Sequence, residues 1–341
     1  MSRLSDVAKK VGVSEATVSR VLNDRPGASQ QTREAVLTAL DVLGYERPTK
    51  LRGARARMVG LVLPELSNPI FPAFADVVGT LLAQRGCTPI LCTRAEGGVT
   101  EEDYIEMLLA QHASGIIFAG GNYAQRNARH DHYRVLAERK LPVVLVNAAI
   151  DELPFPSVVC DDARAMDQAI RHLASLGHRS IGLLLGPADH VPSERKLEAA
   201  RVACAELSIP LGDDVVARSS YTMEGAQAAA QVLIERGVTA IACASDLIAL
   251  GAIRAAHRNG RSVPRDISVI GYDDSALMNV TDPPLTTMRQ PINRMGQAAV
   301  NLLLSQDAGH APEVREMFFD PELVVRGSTT VAHAEGRPAS A

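Results

Sequence analysis

Between Ser14 and Asn23 the chain places one guanidinium, one carboxylate, three hydroxyls and one amide on a segment whose other side chains are apolar. The set suits duplex DNA. Arg20 can donate two parallel hydrogen bonds to a guanine, Glu15 can accept from a cytosine amine, and Ala16 offers an apolar contact. Ser14, Thr17, Ser19 and Asn23 suit phosphate oxygens or the capping of helix ends. For these groups to act together, a helix has to present them on one side. Apolar residues do recur at helical spacing on both sides of Gly12, with Leu4, Val7, Ala8 and Val11 before it and Val18, Val21 and Leu22 after it. Gly12 can take the positive φ of a tight turn, and Ser14 can cap the second helix. The pattern therefore predicts two short helices meeting at an angle, the second over about residues 14–22 and short enough to lie in a major groove. A helix, a glycine and a helix is also a common packing unit, so the rest of the chain must decide.

The distribution of charge favours DNA although the total does not. The net charge is −4, yet residues 1–57 hold eleven Lys/Arg against six Asp/Glu, or +5, which leaves −9 for the remainder. Arg47, Lys50, Arg52, Arg55 and Arg57 face a single acid, Glu46, and neutralising phosphates with them would make binding strongly salt-dependent. A solvated basic linker is the alternative. Before this stretch, a third helix is predicted over about 30–43, with Ser29 as N-cap, Gly44 as C-cap and a stripe of Ala35, Val36, Ala39, Leu40 and Leu43. Packed on Leu4, Val7, Val11, Val18 and Val21, it would close a modest core. Pro48 marks a boundary.

From Met58 short aliphatic runs alternate with longer helical stretches. Strands are expected at 58–63, 89–92, 115–119, 143–147, 158–160, 181–185, 240–243 and 267–272, and helices at about 71–85, 101–111, 164–176, 194–207, 224–237 and 246–259. Such alternation predicts parallel sheets with crossover helices, and ligands in such folds bind beyond the carboxyl ends of the strands. The strands fall into two groups, which suggests two similar lobes with a cleft between them. Five scattered cysteines form no C-x-x-C pair, so neither a disulfide framework nor a zinc knuckle is expected. No cofactor is expected either, because Gly120-Gly121-Asn122 lacks the spacing of a phosphate loop. The run Arg129-His130-Asp131-His132-Tyr133 invites a metal, but it lies in the polar start of a helix and is not read as a site. No run of about eighteen apolar residues and no apolar leader is present, so no membrane is expected and the cytoplasm is the expected location.

The whole order resembles the LacI/GalR family of bacterial transcriptional repressors over about residues 3–330. The resemblance rests on Asp6-Val7-Ala8, Gly12-Val13-Ser14, Thr17-Val18-Ser19-Arg20-Val21-Leu22-Asn23, Thr32-Arg33 and Gly44-Tyr45. It continues in Leu176-Gly177-His178-Arg179-Ser180-Ile181-Gly182, in Asp266-Ile267-Ser268-Val269-Ile270-Gly271-Tyr272-Asp273-Asp274, and in Pro284-Leu285-Thr286-Thr287. It implies a small all-α helix-turn-helix head (1–46), a basic hinge (47–57) and a two-lobed α/β body with two parallel sheets (58–330), similar to periplasmic sugar-binding proteins. The lobes would be about 58–157 with 290–318 and about 158–289 with 319–330, and a disordered tail (331–341) without heptads would leave a homodimer. Paired heads would read a near-palindromic operator. A small molecule between the lobes would alter operator affinity by binding two body states unequally. A sugar leads by family, with a nucleobase or nucleoside second; whether it induces or corepresses is not written in the residues.

The resemblance also assigns roles. Glu15 and Ala16 occupy positions that vary with the operator, and Thr32 joins the phosphate contacts. In the hinge, Lys50, Leu51 and Arg52 would meet DNA, with Leu51 wedged into the minor groove. This hinge is about three residues shorter than the family's, and Gly53 disfavours helix by about 1 kcal/mol relative to alanine, so a plain linker is the competing expectation. Cleft positions fall on Asn68, Phe71, Asn147, Lys196, Tyr221, Ser245, Asp246, Asp273 and Gln290. Lys196 stands where an arginine is common and lacks its planar fork. The other class to weigh is a cytoplasmic sugar- or nucleoside-binding protein, or an enzyme, whose first helices do not read DNA.

Overall fold

The computed structural model describes residues 4–22, 27–42, 57–94, 97–310 and 314–332. The chain divides into two compact units at Met58 and Val59.

The first unit holds helices α1 (Leu4–Val11), α2 (Glu15–Leu22) and α3 (Gln30–Val42). Gly12 adopts φ +73°, the left-handed conformation that lets α1 turn sharply into α2. Ser14 Oγ accepts from the Thr17 amide at 3.1 Å and Ser29 Oγ from the Thr32 amide at 3.1 Å, so both caps form. Val7, Ala8, Val18, Val21, Val36 and Ala39 make the small core, with Val11 packed against it. Two expected core members differ among the described side chains: Leu4 is 38% exposed at the start of α1, and Ala35 faces outward because it precedes the buried row set by Val36 and Ala39. Leu43, Gly44 and the hinge positions 47–56 lie outside the described residues. Arg57, expected in the hinge, begins the first strand.

The second unit is built on two six-stranded sheets. In chain order the elements are β1 (Arg57–Leu63), α4 (Ile70–Gln84), β2 (Cys87–Thr93), α5 (Glu101–Ala110), β3 (Gly115–Phe118), α6 (Asp131–Glu138), β4 (Val143–Val146) and β5 (Ser157–Cys160). They continue with α7 (Asp162–Ser175), β6 (Ile181–Leu185), α8 (Val191–Glu206), β7 (Val216–Arg218), α9 (Met223–Glu235), β8 (Ala240–Cys243), α10 (Asp246–Arg258) and β9 (Ser268–Asp273). The last are β10 (Thr286–Arg289), α11 (Ile292–Asp307), β11 (Glu316–Phe319) and β12 (Glu322–Val324). The first sheet runs β11-β5-β4-β3-β1-β2 and the second β12-β10-β9-β8-β6-β7. Strands such as Leu183-Leu184-Leu185 are buried throughout, as a sheet covered by helices on both faces requires. Only β12 is shown to run antiparallel, against β10.

Two boundaries move from expectation. Ser157–Cys160 joins the first sheet, parallel to β4, and does not open the second lobe; Phe319 ends β11 of the first sheet as well. The reason is local: no helix lies between Val146 and Ser157, so the helix–strand alternation broke there and the next strand looked like a fresh start. The chain also stays attached past 330, where the Ala332 amide donates to Leu176 O at 2.8 Å. Residues 333–341 of the expected tail lie outside the described residues. The five cysteines are buried.

Candidate functional site

In the head, Val18 and Val21 turn inward, and this fixes what α2 can show. Glu15, Ala16 and Arg20 are exposed, while Thr17 and Ser19 are half-buried. Arg20 lies against Gly27, where an added Cβ would sit 3.4 Å from its Cδ. The hydroxyls of Ser14 and Thr17 pair at 2.9 Å and those of Ser29 and Thr32 at 2.8 Å, so each pair is already ordered at a helix start. Backbone amides at such ends attract phosphate. Asn23, Lys50, Leu51 and Arg52 lie outside the described residues.

In the body, the carboxyl ends of strands from both sheets converge on one cavity of about 320 Å³. Eight of the nine cleft positions expected from sequence line it: Asn68, Phe71, Asn147, Lys196, Tyr221, Ser245, Asp273 and Gln290. The ninth, Asp246, does not. It is buried at the start of α10, where its Oδ1 accepts from Thr287 Oγ1 at 2.5 Å and its Oδ2 from the Ser275 amide at 2.8 Å, so it fastens the loop after β9 to its neighbours. Ser245 spends its hydroxyl capping α10, accepting from the Ile248 amide at 3.2 Å.

Three residues at strand ends adopt left-handed backbone: Asn147 at φ +67°, Asp273 at +126° and Asp274 at +57°. Such conformations cost about 1–3 kcal/mol each in a non-glycine residue, so the surrounding bonds must hold them. Asn147 Oδ1 accepts from the Cys160 amide at 3.1 Å, and its Nδ2 donates to Gln290 Oε1 at 3.4 Å. Gln290 Nε2 in turn donates to Asp273 Oδ1 at 2.7 Å. One amide thus ties a strand end of the first sheet to a strand end of the second. Burial, reinforced by the charge of Asp246, pushes the Asp273 carboxyl well above the usual range. Asp274 turns the other way, onto Arg289 and Arg326 at 2.6 Å each.

Lys196 is buried on α8, its ammonium bonded to Asp162 and 3.9 Å from the Tyr272 ring centroid. Burial raises the Asp162 carboxyl's pKa, while Lys196 pulls it down. Arg195, next to Lys196, points away and pairs with Glu316 at 2.9 Å. Tyr221 sits edge-on to His190 with ring centroids 5.5 Å apart, and its hydroxyl pairs with Ser193 Oγ at 3.0 Å and His190 Nδ1 at 3.2 Å. This trio needs Gly186 beside it, because a Cβ there would lie 2.5 Å from the Tyr221 hydroxyl. Burial and the nearby Lys196 hold His190 down to about 4, so it is neutral at pH 7.

Asp162, His190 and Tyr272 also line the cavity and were not anticipated as site residues. Asp162 and Tyr272 carried a signal, since both stand at the carboxyl end of an expected strand; His190 precedes a helix with nothing in its neighbours to mark it. His130 and His132, from the run that invited a metal, are engaged with Asn122 O at 3.3 Å and Glu101 Oε1 at 3.0 Å. Glu101 also takes the Tyr133 hydroxyl and braces the Gly121–Asn122 turn at the cavity rim.

Comparison with known proteins identifies both domain types. Residues 3–48 match the profile of bacterial regulatory proteins of the lacI family, and residues 170–329 that of a periplasmic binding protein-like domain. The chain is 51% identical to the HTH-type transcriptional regulator reg1 of Streptomyces lividans over 99% of each chain, and 50% identical to the HTH-type transcriptional regulator MalR of Streptomyces coelicolor over 99% of each. Among solved structures it resembles a transcriptional regulator CelR–cellobiose complex (TM-score 0.72, 30% identity, covering 96% of this chain and 100% of that one). It also resembles the lac repressor dimer bound to operator and the anti-inducer ONPF (TM-score 0.75, 28% identity, covering 96% and 99%). With an exposed arginine on a capped second helix, a cavity of mixed rings, amides and acids between two sheets, and relatives matched end to end, this chain belongs to the lacI family of bacterial regulatory proteins and is a DNA-binding transcriptional regulator.

Proposed function

We propose that the protein is a homodimeric repressor acting in the cytoplasm, that it catalyses no reaction, and that a sugar in the body cavity sets its affinity for a near-palindromic operator. In this reading Arg20, Glu15 and Ala16 read base edges, while Ser14, Thr17, Ser19, Asn23 and Thr32 meet phosphates. The hinge positions Lys50, Leu51 and Arg52 follow the DNA between the heads. The lac repressor dimer on its operator supports the pairing.

The observation that carries the sugar reading is the cavity wall. It combines the rings of Phe71 and Tyr221 with the amides of Asn68, Asn147 and Gln290 and the carboxyls of Asp162 and Asp273. Rings cover the apolar face of a sugar while amides and acids take its hydroxyls. The CelR–cellobiose complex supports a sugar of this kind. The test is a thermal-shift screen of the full chain against sugars and nucleosides, with operator titration at several salt concentrations in the presence and absence of the hit. A ligand at a hundred times its Kd adds about 2.7 kcal/mol. A sugar hit that shifts operator affinity is expected; a shift given only by nucleosides would replace the sugar reading.

A further inference from the structure

On the reading that a sugar fills the cavity, we propose that Asp162 is a specificity-determining residue that, with Asp273, restricts the effector to uncharged sugars with free hydroxyls and rejects their phosphate esters. Among the described residues, the buried polar atoms that lack a hydrogen-bond partner within the protein include Asp162 Oδ2, the Tyr272 hydroxyl and Asp273 Oδ2. These three belong to residues lining the one cavity. The Tyr272 hydroxyl lies beside Asp162, and Asn68 beside Asp273, without well-formed hydrogen bonds between them, so these loosely held polar atoms on one wall mark where a ligand can make better bonds. One Asp162 oxygen is taken by the Lys196 ammonium and the other is left to accept from the cavity, where a ligand hydroxyl brings a donor and a phosphate oxygen does not.

The charges around the cavity point the same way. The Lys196 ammonium is the buried cation of the wall, and it is already committed to Asp162 and the Tyr272 ring. His190 is neutral and engaged with Tyr221 and Ser193. Arg94 is exposed at the rim, where it donates to Asn122 Oδ1 at 3.3 Å. A phosphate drawn into the cavity would enter a setting where burial already disfavours charge on Asp273 and Asp162, with no uncommitted buried cation among the described lining residues, so a dianion would lose its hydration without gaining a partner. Lys196 is a single point charge, and the acid beside it already takes it up.

The test is calorimetry on the full chain with glucose, trehalose, maltose and cellobiose, with glucose 6-phosphate and trehalose 6-phosphate, and with adenosine. The titrations are repeated on Asp162→Asn and Tyr272→Phe after melting temperatures confirm that both variants fold. Each phosphate ester is expected to bind at least tenfold more weakly than its parent sugar. The best neutral sugar should lose about tenfold in Asp162→Asn and about threefold in Tyr272→Phe. An ester that binds as well as its parent, or unchanged affinity in both variants, overturns the proposal and leaves the sugar reading standing. Binding of adenosine with no binding of any sugar overturns both.

Discussion

His190 shows how one residue can report the state of the cavity. Its side chain is packed between Tyr221, Ser193 and the neighbourhood of Lys196, and burial lowers its pKa from 6.5 to about 4. The unfolded chain therefore takes up this proton near pH 6.5, whereas the folded chain resists it until about pH 4. Between those values the unfolded state binds more protons, so this histidine's contribution to stability is complete above about pH 6.5 and is lost as the pH falls towards 4. The loss amounts to about 3 kcal/mol. Asp162, Asp246 and Asp273 are shifted upward by burial and act with the opposite slope, so the histidine has to be isolated by difference. Denaturant melts of wild type and His190→Gln at pH 4.5, 5.5, 6.5 and 7.5 should show the wild type losing more stability than the variant below pH 6.5. Parallel curves would mean that His190 is accessible to protons in the folded state.

At the scale of elements, α2 is the piece whose function was most legible, because helical periodicity fixes which side chains go inward. Val18 and Val21 are fully buried, and that leaves Arg20 free to reach a base. Arg20→Ala is expected to cost about 1–3 kcal/mol on the preferred operator and to relax discrimination at one symmetric base pair. Selection from a random duplex pool that returns an unaltered preference would remove Arg20 from direct readout. The longer body elements were legible for the same reason as α2, but β7, β10, β11 and β12 were not expected as strands. They have three or four residues each, at or near sheet edges, and owe their shape to pairing with distant strands. Helix α11 was passed over although its length is ordinary; Gly296 in its second turn lowers propensity, and the structure shows why a glycine is there, since a Cβ would press to 2.7 Å from Val77 on α4. The cavity was legible where the family motif named a residue and less so elsewhere. Asp246 shares its motif position with ligand-facing groups, yet Thr287 and the Ser275 amide hold it, and both become neighbours only when β10 pairs with β9.

For the whole body, what matters is that the two sheets meet by few polar ties, so their approach can respond to a ligand. Behind the cavity Gln290 bridges Asn147 and Asp273. At its rim, the stretch after β3 meets the stretch before α8: Gln125 bridges His190, the Arg126 amide donates to Asp189 O at 3.0 Å, and Asn127 Nδ2 donates to Asp189 Oδ2 at 2.6 Å. Asp189 is held at φ +64° to make these bonds, a conformation that needs such support. Closing the lobes over a sugar would thus draw on rim bonds that never touch it, and weakening them should hasten its escape while leaving its contacts intact. Asn127→Ala removes one exposed bond to a carboxylate, worth about 0.5–1 kcal/mol after solvent competition. The effector's dissociation rate, measured by stopped flow, should rise about two- to fivefold with little change in association, and operator affinity measured without effector should stay as in the wild type. A dissociation rate equal to wild type would show that the Asn127–Asp189 bond does not hold the lobes closed over the effector.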